Sequence, residues 1–173
     1  MTQLSQTRVH QYLAVIGKST SQQEQGVALE KLMTGLLGKI PGITVTKRSE
    51  DKEFQNDVMD IVCWNNRQKD GLYFLPNILT IGAFHWLEPV GSAQIKSMLN
   101  RIKMRGLSFG VLIAINGLTE EQTARDEARD MILSALSDER QIVILQGSDF
   151  EKLSSSNQLV RLFKEKLCEL AVA

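Results

Sequence analysis

The chain has little of what would mark a special environment. Two cysteines in 173 residues, Cys63 and Cys168, cannot build a disulfide scaffold, and with only His10 and His85 beside them no spacing fits a structural zinc site. Both cysteines fall in apolar segments and are expected as small buried hydrophobes. Three prolines leave no rigid linker. No apolar run reaches the roughly 18 to 20 residues that a bilayer span needs, and Met1 to Thr7 is polar without an apolar signal core, so a soluble cytoplasmic protein is expected, with no membrane partner. Twenty basic and twenty acidic residues give a formal net charge of zero. Bulk electrostatics therefore neither selects nor rejects nucleic acid, and any binding face must come from local clustering.

What is present suffices for one core. Hydrophobic residues make up 43% of the chain, and no Pro, Gly or Ser-rich interval separates two units. A single domain over residues 1–173 is expected, with residues 1–18 as a helical extension. Loose apolar spacing from Leu4 to Ile16 suggests that first helix. Ser21 and Glu24 form a capping-box signature, and Leu29, Leu32, Met33, Leu36 and Leu37 recur at helical spacing until Gly38 and Pro41. Ile43 to Lys47 alternates as a strand, Arg48 to Asn56 reads as a charged loop, and Val58 to Trp64 is a second strand closed by Asn65-Asn66.

Tyr73 to Ala83 is a long uncharged run of the kind that fills the middle of a sheet, although Pro76 makes its first part irregular or an edge. Ser92 can cap a helix carrying Ile95, Met98, Leu99 and Ile102, which Gly106 ends. Phe109 to Ile115 is a buried strand closed by Asn116-Gly117. Thr119 opens a helix, Gln141 to Leu145 is the last strand, and Ser156 or Asn157 to Leu170 is a closing helix. The order predicts an α/β fold with a mixed central sheet of about five strands flanked by helices. Its first three strands run as a meander, and the last two, each after a helical crossover, favour parallel pairing.

Three segments narrow the reading. Met59-Asp60-Ile61-Val62 places an acid in an apolar strand. Twenty residues on stands Ile81-Gly82-Ala83-Phe84-His85-Trp86, followed by Glu88-Pro89-Val90-Gly91-Ser92. Gly26-x-x-Leu29-Glu30 lies in the early helix, and Gly110 to Gly117 forms the later strand and its turn. Together, over roughly residues 20 to 170 in element order, these resemble the Mrr-like branch of the PD-(D/E)xK restriction endonuclease superfamily. That resemblance implies the restriction endonuclease-like fold and a Mg²⁺-dependent DNA cleavage site. In such a site an Asp and a Glu supply carboxylates to the metal, and a Lys two residues after the Glu orients the attacking water.

In this sequence the Glu position is Gly82 and the Lys position is Phe84. Gly82 has no side-chain oxygen, and Phe84 has neither charge nor proton acceptor. Period 2 along a strand puts both on one face beside Asp60. Asp60 has two readings, a weak metal ligand or a polar residue held by backbone donors or a neighbouring Lys or Arg. Glu30 matches an acidic helix residue that approaches the metal in such nucleases, or is an ordinary amphipathic-helix glutamate. Displaced chemistry is a further reading, with Glu88 as carboxylate and Lys96 as amine. His85 and Trp86 could offer a base-stacking platform or plug the vacated cleft. Lys96, Arg101, Lys103 and Arg105 give one helix a positive character suited to phosphates, or form a solvated face.

Three functions follow. The first is a nuclease-fold protein without catalysis that serves as a DNA-binding or assembly module, for itself as a homodimer or for another subunit of a defence or DNA-processing system. The second is an active Mg²⁺-dependent endonuclease with relocated residues. The third is a structural homodimer with no nucleic-acid role. No cofactor is expected unless the chain is active, when Mg²⁺ is required.

Overall fold

The computed structural model describes residues 5–173, which leaves Leu4 of the expected first helix outside the described residues. The elements in chain order are α1 (Gln6–Lys18), α2 (Gln22–Leu37), β1 (Ile43–Lys47), α3 (Asp51–Gln55), β2 (Val58–Asn65), β3 (Ile78–Phe84), α4 (Ser92–Met104), β4 (Phe109–Ala114), α5 (Gln122–Ser137), β5 (Gln141–Gln146), α6 (Gly147–Glu151) and α7 (Ser156–Val172). The fold is α/β, with a five-stranded mixed sheet in the order β1-β2-β3-β4-β5. β1, β2 and β3 form an antiparallel meander, while β3–β4 and β4–β5 are parallel. No described helix is long and apolar enough to cross a membrane.

The two helical crossovers step the same way across the sheet. Crossovers of one hand then deliver α4 and α5 to the same face, where Ile95, Met98, Ile102 and Ala128 share a cluster with Leu112, Ala114 and Ile142. The opposite face carries Met59, Ile61, Cys63, Leu79, Ile81, Val111, Val143 and Leu145 beneath α1, α2 and α7. Because β-strand side chains alternate, each strand divides cleanly between these two layers. β4 is buried along its whole length, as its unbroken apolar run requires of a central parallel strand. Val9 and Ile16 of α1 are buried in the same core as α2, so this helix contributes to the core.

Several local expectations are corrected. The charged stretch after β1 contains the single-turn helix α3, held by a capping box between Glu50 and Glu53. Tyr73 to Asn77 is not strand, and β3 begins only at Ile78. Here the buried Asn65 side chain donates to the carbonyls of Leu72, Leu75 and Pro76, and those bonds hold the preceding loop in place of ladder pairing. Gly91, not Ser92, is the N-cap of α4, with its amide donated to Gln94 Oε1 at 3.0 Å. Glu121 caps α5 in place of Thr119. Ser21 caps α2, but Glu24 turns to the Ser19 hydroxyl at 2.6 Å and does not close the box. Cys63 is buried as expected, whereas Cys168 is exposed.

Two glycines set how closely α4 lies on the sheet. A Cβ at Gly110 would stand 2.5 Å from Met98 Cε and 2.6 Å from Ile102 Cδ1, and one at Gly82 would stand 3.1 Å from Met98 Sδ. These diagonal positions on β3 and β4, Gly110 opposite Thr80 and Gly82 opposite Leu112, form a trough that Met98 fills. Gly110→Ala should therefore force α4 outward and destabilise the protein by about 1–3 kcal/mol, the usual cost of overpacking. Chemical denaturation checks this, and a variant with the parental midpoint would show that α4 is not seated in the trough.

Candidate functional site

Asp60, Gly82 and Phe84 share one face of the sheet. In the antiparallel β2–β3 ladder Asp60 pairs with Gly82 and Val58 with Phe84, and directly paired residues point the same way. The Phe84 ring lies against Gly82, with Cε2 at 3.3 Å from where a Cβ would be. Phe84 is buried with Met98 and Ile102, and the Arg101 guanidinium stands 5.0 Å above its ring centroid. The position that the resemblance assigns to a lysine is thus part of the α4 layer.

Asp60 is fully buried, and three cations meet its carboxylate. Lys47 Nζ lies 2.8 Å from Oδ2, Arg101 Nη1 lies 2.9 Å from Oδ2, and Arg105 forks across both oxygens with Nη1 at 3.0 Å from Oδ1. Arg105 Nη2 also donates to Oδ2. Its Nη1 donates in addition to Thr80 Oγ1 at 2.7 Å, which ties β3 into the cluster. The Asp60 backbone is satisfied beyond the end of β1 by one hydroxyl: its amide donates to Ser49 Oγ at 2.8 Å, and Ser49 Oγ donates back to its carbonyl at 3.3 Å.

Each cation arrives for a local reason. The register of β1 on β2 shifts between Val45 and Lys47, so that Lys47 pairs with Val62. Without the bulge Lys47 would oppose Ile61 and point into the apolar core; the inserted residue turns it onto the face of Asp60. Arg101 and Arg105 continue the helical stripe of Met98 at i+3 and i+7, so seating Met98 in the glycine trough carries both over Asp60. Arg105 sits at the C-cap, where the helix dipole also favours positive charge.

Burial alone would raise the Asp60 pKa. The hydrogen bonds from Arg105 and Lys47 and the charges of Arg101 and Arg105 outweigh it and hold the group down at about 2. Its carboxylate lone pairs are directed at nitrogen donors, and Gly82 brings no second carboxylate. Among the described residues no group of three or more His, Cys, Asp or Glu could hold a metal ion. The residues present do not fit the Mg²⁺ site that the resemblance implies.

The other residues singled out in the sequence are dispersed. Glu30 is half-buried beside the β1–α3 turn; burial raises its pKa, opposed by Arg48 and a hydrogen bond from the Ser49 backbone. Ser49 is thereby the link between Glu30 and Asp60, whose side chains are not among each other's partners in the described residues. Glu88 is exposed in the turn after β3, where its amide bonds the His85 carbonyl at 2.8 Å. Lys96 lines a groove between α4 and α5 with Glu127 and Asp130. Lys103 is exposed. Arg101 and Arg105 are turned inward, with side chains 24% and 27% exposed, so a fully solvated helix face is corrected for these two.

Trp86 is 1% exposed and packs in the cluster under α1 and α2, which removes it as a stacking platform and as a plug of the Asp60 cleft. His85 is exposed at φ 51°, a left-handed residue that turns the chain out of β3. Sequence reasoning missed Lys47 and Thr80. The parity of β3 would have found Thr80, two residues before Gly82; Lys47 could not be found, because nothing local announces the bulge.

No protein-family model matches this chain, and no curated protein matches it in sequence.

An aspartate held at about 2 in the fold and near 3.8 when unfolded contributes stability that is complete above pH 4 and is lost as pH falls toward 2. The contribution is about 2 kcal/mol. Asp60→Asn should lower stability at neutral pH by about 2–4 kcal/mol, because three cations lose their counter-ion, and should flatten the acid limb of the stability profile. Urea titrations from pH 2 to 7 read both effects, and an unchanged acid limb would contradict the cluster. Phe84→Ala should cost about 3 kcal/mol, as for other buried aromatics; a melting temperature equal to the parent's would place the ring in solvent.

Proposed function

We propose that this chain is a restriction endonuclease-like module without catalysis that binds nucleic acid through its phosphates. One observation carries the reading: the strand aspartate on which metal-dependent cleavage would depend is committed to Lys47, Arg101 and Arg105. Three cations against one carboxylate leave a local excess of two positive charges. These charges are not sealed inside the protein, since the Lys47 side chain is 47% exposed and the arginines are partly exposed.

The surroundings suit a polyanion. β1 and the adjoining parts of β2 and β3 expose Thr44, Trp64 and Ile78 on the face that carries Asp60. Trp64 is 44% exposed, with its indole N–H donated to Asn66 Oδ1 at 2.8 Å, so its orientation is fixed. Fixed cations beside an exposed aromatic are what a backbone-tracking surface uses, charge for the phosphates and ring faces for unpaired bases. The element order and the Asp60–Gly82–Phe84 placement support kinship with the nuclease superfamily. The same placement supports a binding role, since Gly82 and Phe84 admit α4 and α4 delivers the arginines. DNA is the expected partner.

Fluorescence anisotropy with labelled single- and double-stranded DNA tests this. Affinity should fall steeply with salt, and Lys47→Gln should lower the salt slope by about one unit. Supercoiled DNA should remain intact with the parent protein in Mg²⁺ or Mn²⁺. Binding insensitive to salt, or nicking abolished by Asp60→Ala, would overturn the reading.

A further inference from the structure

Beyond the cation cluster the same face of the sheet stays bare. Asp60, Val62 and Trp64 alternate onto it, and Trp64 has Thr44 of β1 and Ile78 of β3 as its cross-strand partners. All three residues of that row are exposed, Trp64 to 44% and Ile78 to 40%. α4 seats over Gly110 and Gly82, and its C-cap Arg105 bonds Thr80, one row short of Trp64.

The row between the ring and Asp60 is Lys47, Val62 and Thr80. Ring row and cation row are therefore two residues apart, about 7 Å along the strands. The three cations differ in the donors they have left. Arg105 uses Nη1 on Asp60 and Thr80 and Nη2 on Asp60, and Arg101 gives Nη1 to Asp60 with its guanidinium over Phe84. Lys47 has three donors, of which one meets Asp60 Oδ2, and its side chain is 47% exposed. It is the cation with the most to offer a phosphate. The ring is oriented in advance, since the indole N–H donates to Asn66 Oδ1 at 2.8 Å, so a base that stacks on it loses little freedom to the protein side.

We propose that this surface selects single-stranded nucleic acid over duplex, with one base stacked on Trp64 and a neighbouring phosphate on Lys47; the inference rests on the phosphate-binding reading above. A duplex keeps its base faces inside the stack and presents phosphates and groove edges, and its edges are read by a helix or ribbon that enters a groove. Trp64 and Lys47 stand on the sheet itself. A duplex laid across them meets the ammonium and leaves the indole without a base face. An unpaired strand supplies both partners. Every base has a π-face, so the selection is for strandedness and not for sequence. Three cations around one carboxylate, beside this row, favour a polyanion over an apolar protein surface as the occupant.

Tryptophan emission of the full chain tests this directly. The chain has two tryptophans, and Trp86 is 1% exposed, so a change on adding an oligonucleotide reports Trp64. Oligothymidylate should quench the emission and bind more tightly than the same strand paired with its complement. An abasic strand of equal length should bind more weakly than oligothymidylate and leave the emission unchanged. Trp64→Ala should weaken single-strand binding about fivefold or more while duplex and abasic affinities stay at the parental values, and Trp64→Phe should retain most of the preference. Salt-dependent binding of single strand and duplex alike, with Trp64 unquenched, overturns the selectivity and leaves phosphate binding standing. Absence of salt-dependent binding to every strand overturns both. Equal losses for single strand and duplex in Trp64→Ala reduce the ring to a structural part and also overturn the proposal. So does an emission that shifts with protein concentration alone, which assigns the row to a second copy of the chain.

Discussion

A carboxylate with no exposed surface is stable only if positive charge and hydrogen-bond donors reach it, and much of this protein is arranged around meeting that demand for Asp60. The requirement falls on three separate elements. β1 must be bulged so that Lys47 changes face, α4 must lie low enough for Arg101 and Arg105 to arrive, and β3 must present Thr80. The low seat of α4 in turn rests on Gly110, where a side chain would collide with Met98 and Ile102, and on Gly82, where one would crowd Met98. The meander and the first crossover, which could pack in several ways on hydrophobic grounds alone, are held together by this one ion cluster.

The cluster also divides the labour between the sheet's two faces. Under α1, α2 and α7 the strands contribute hydrocarbon almost alone, and that layer resembles the core of any α/β domain. Under α4 the apolar packing stops part-way, at Phe84 and Met98, and passes into charge at Arg101 and Asp60. Phe84 belongs to both regimes, with one side in the apolar cluster and the other beneath a guanidinium. The charged part of this face is therefore continuous with its apolar part.

Most of the architecture was legible because it rests on period and punctuation. Gly82 and Phe84 could be placed on one face from period 2, Asp60 beside them only from the family resemblance, and the parallel half of the sheet from the helices between its strands. What escaped was long-range. Asn65 holds the Leu72 to Pro76 loop through its side chain, so an uncharged stretch that reads as strand is bonded elsewhere. The bulge that turns Lys47 is a property of the β1–β2 pair and of neither strand by itself. Arg101 and Arg105 were visible as basic residues, but their inward aim follows from the Met98 stripe, a signal present in the sequence and outweighed by the habit of placing arginines in water. Trp86, beside the exposed His85, is buried on the opposite layer because a left-handed turn at His85 breaks the strand's alternation.

The glycine trough has a consequence for how such a chain can change. A glutamate introduced at position 82 meets Met98 before it meets any ligand, and a lysine introduced at position 84 empties the apolar pocket beside it. Each step taken alone loses packing without assembling a metal site. Removing bulk at Met98 would have to come first, and Asp60 would still be held by Lys47, Arg101 and Arg105. Substitutions here are conditional on their order, so a conformation chosen by two glycines and one methionine acts as a ratchet on the history open to the sequence.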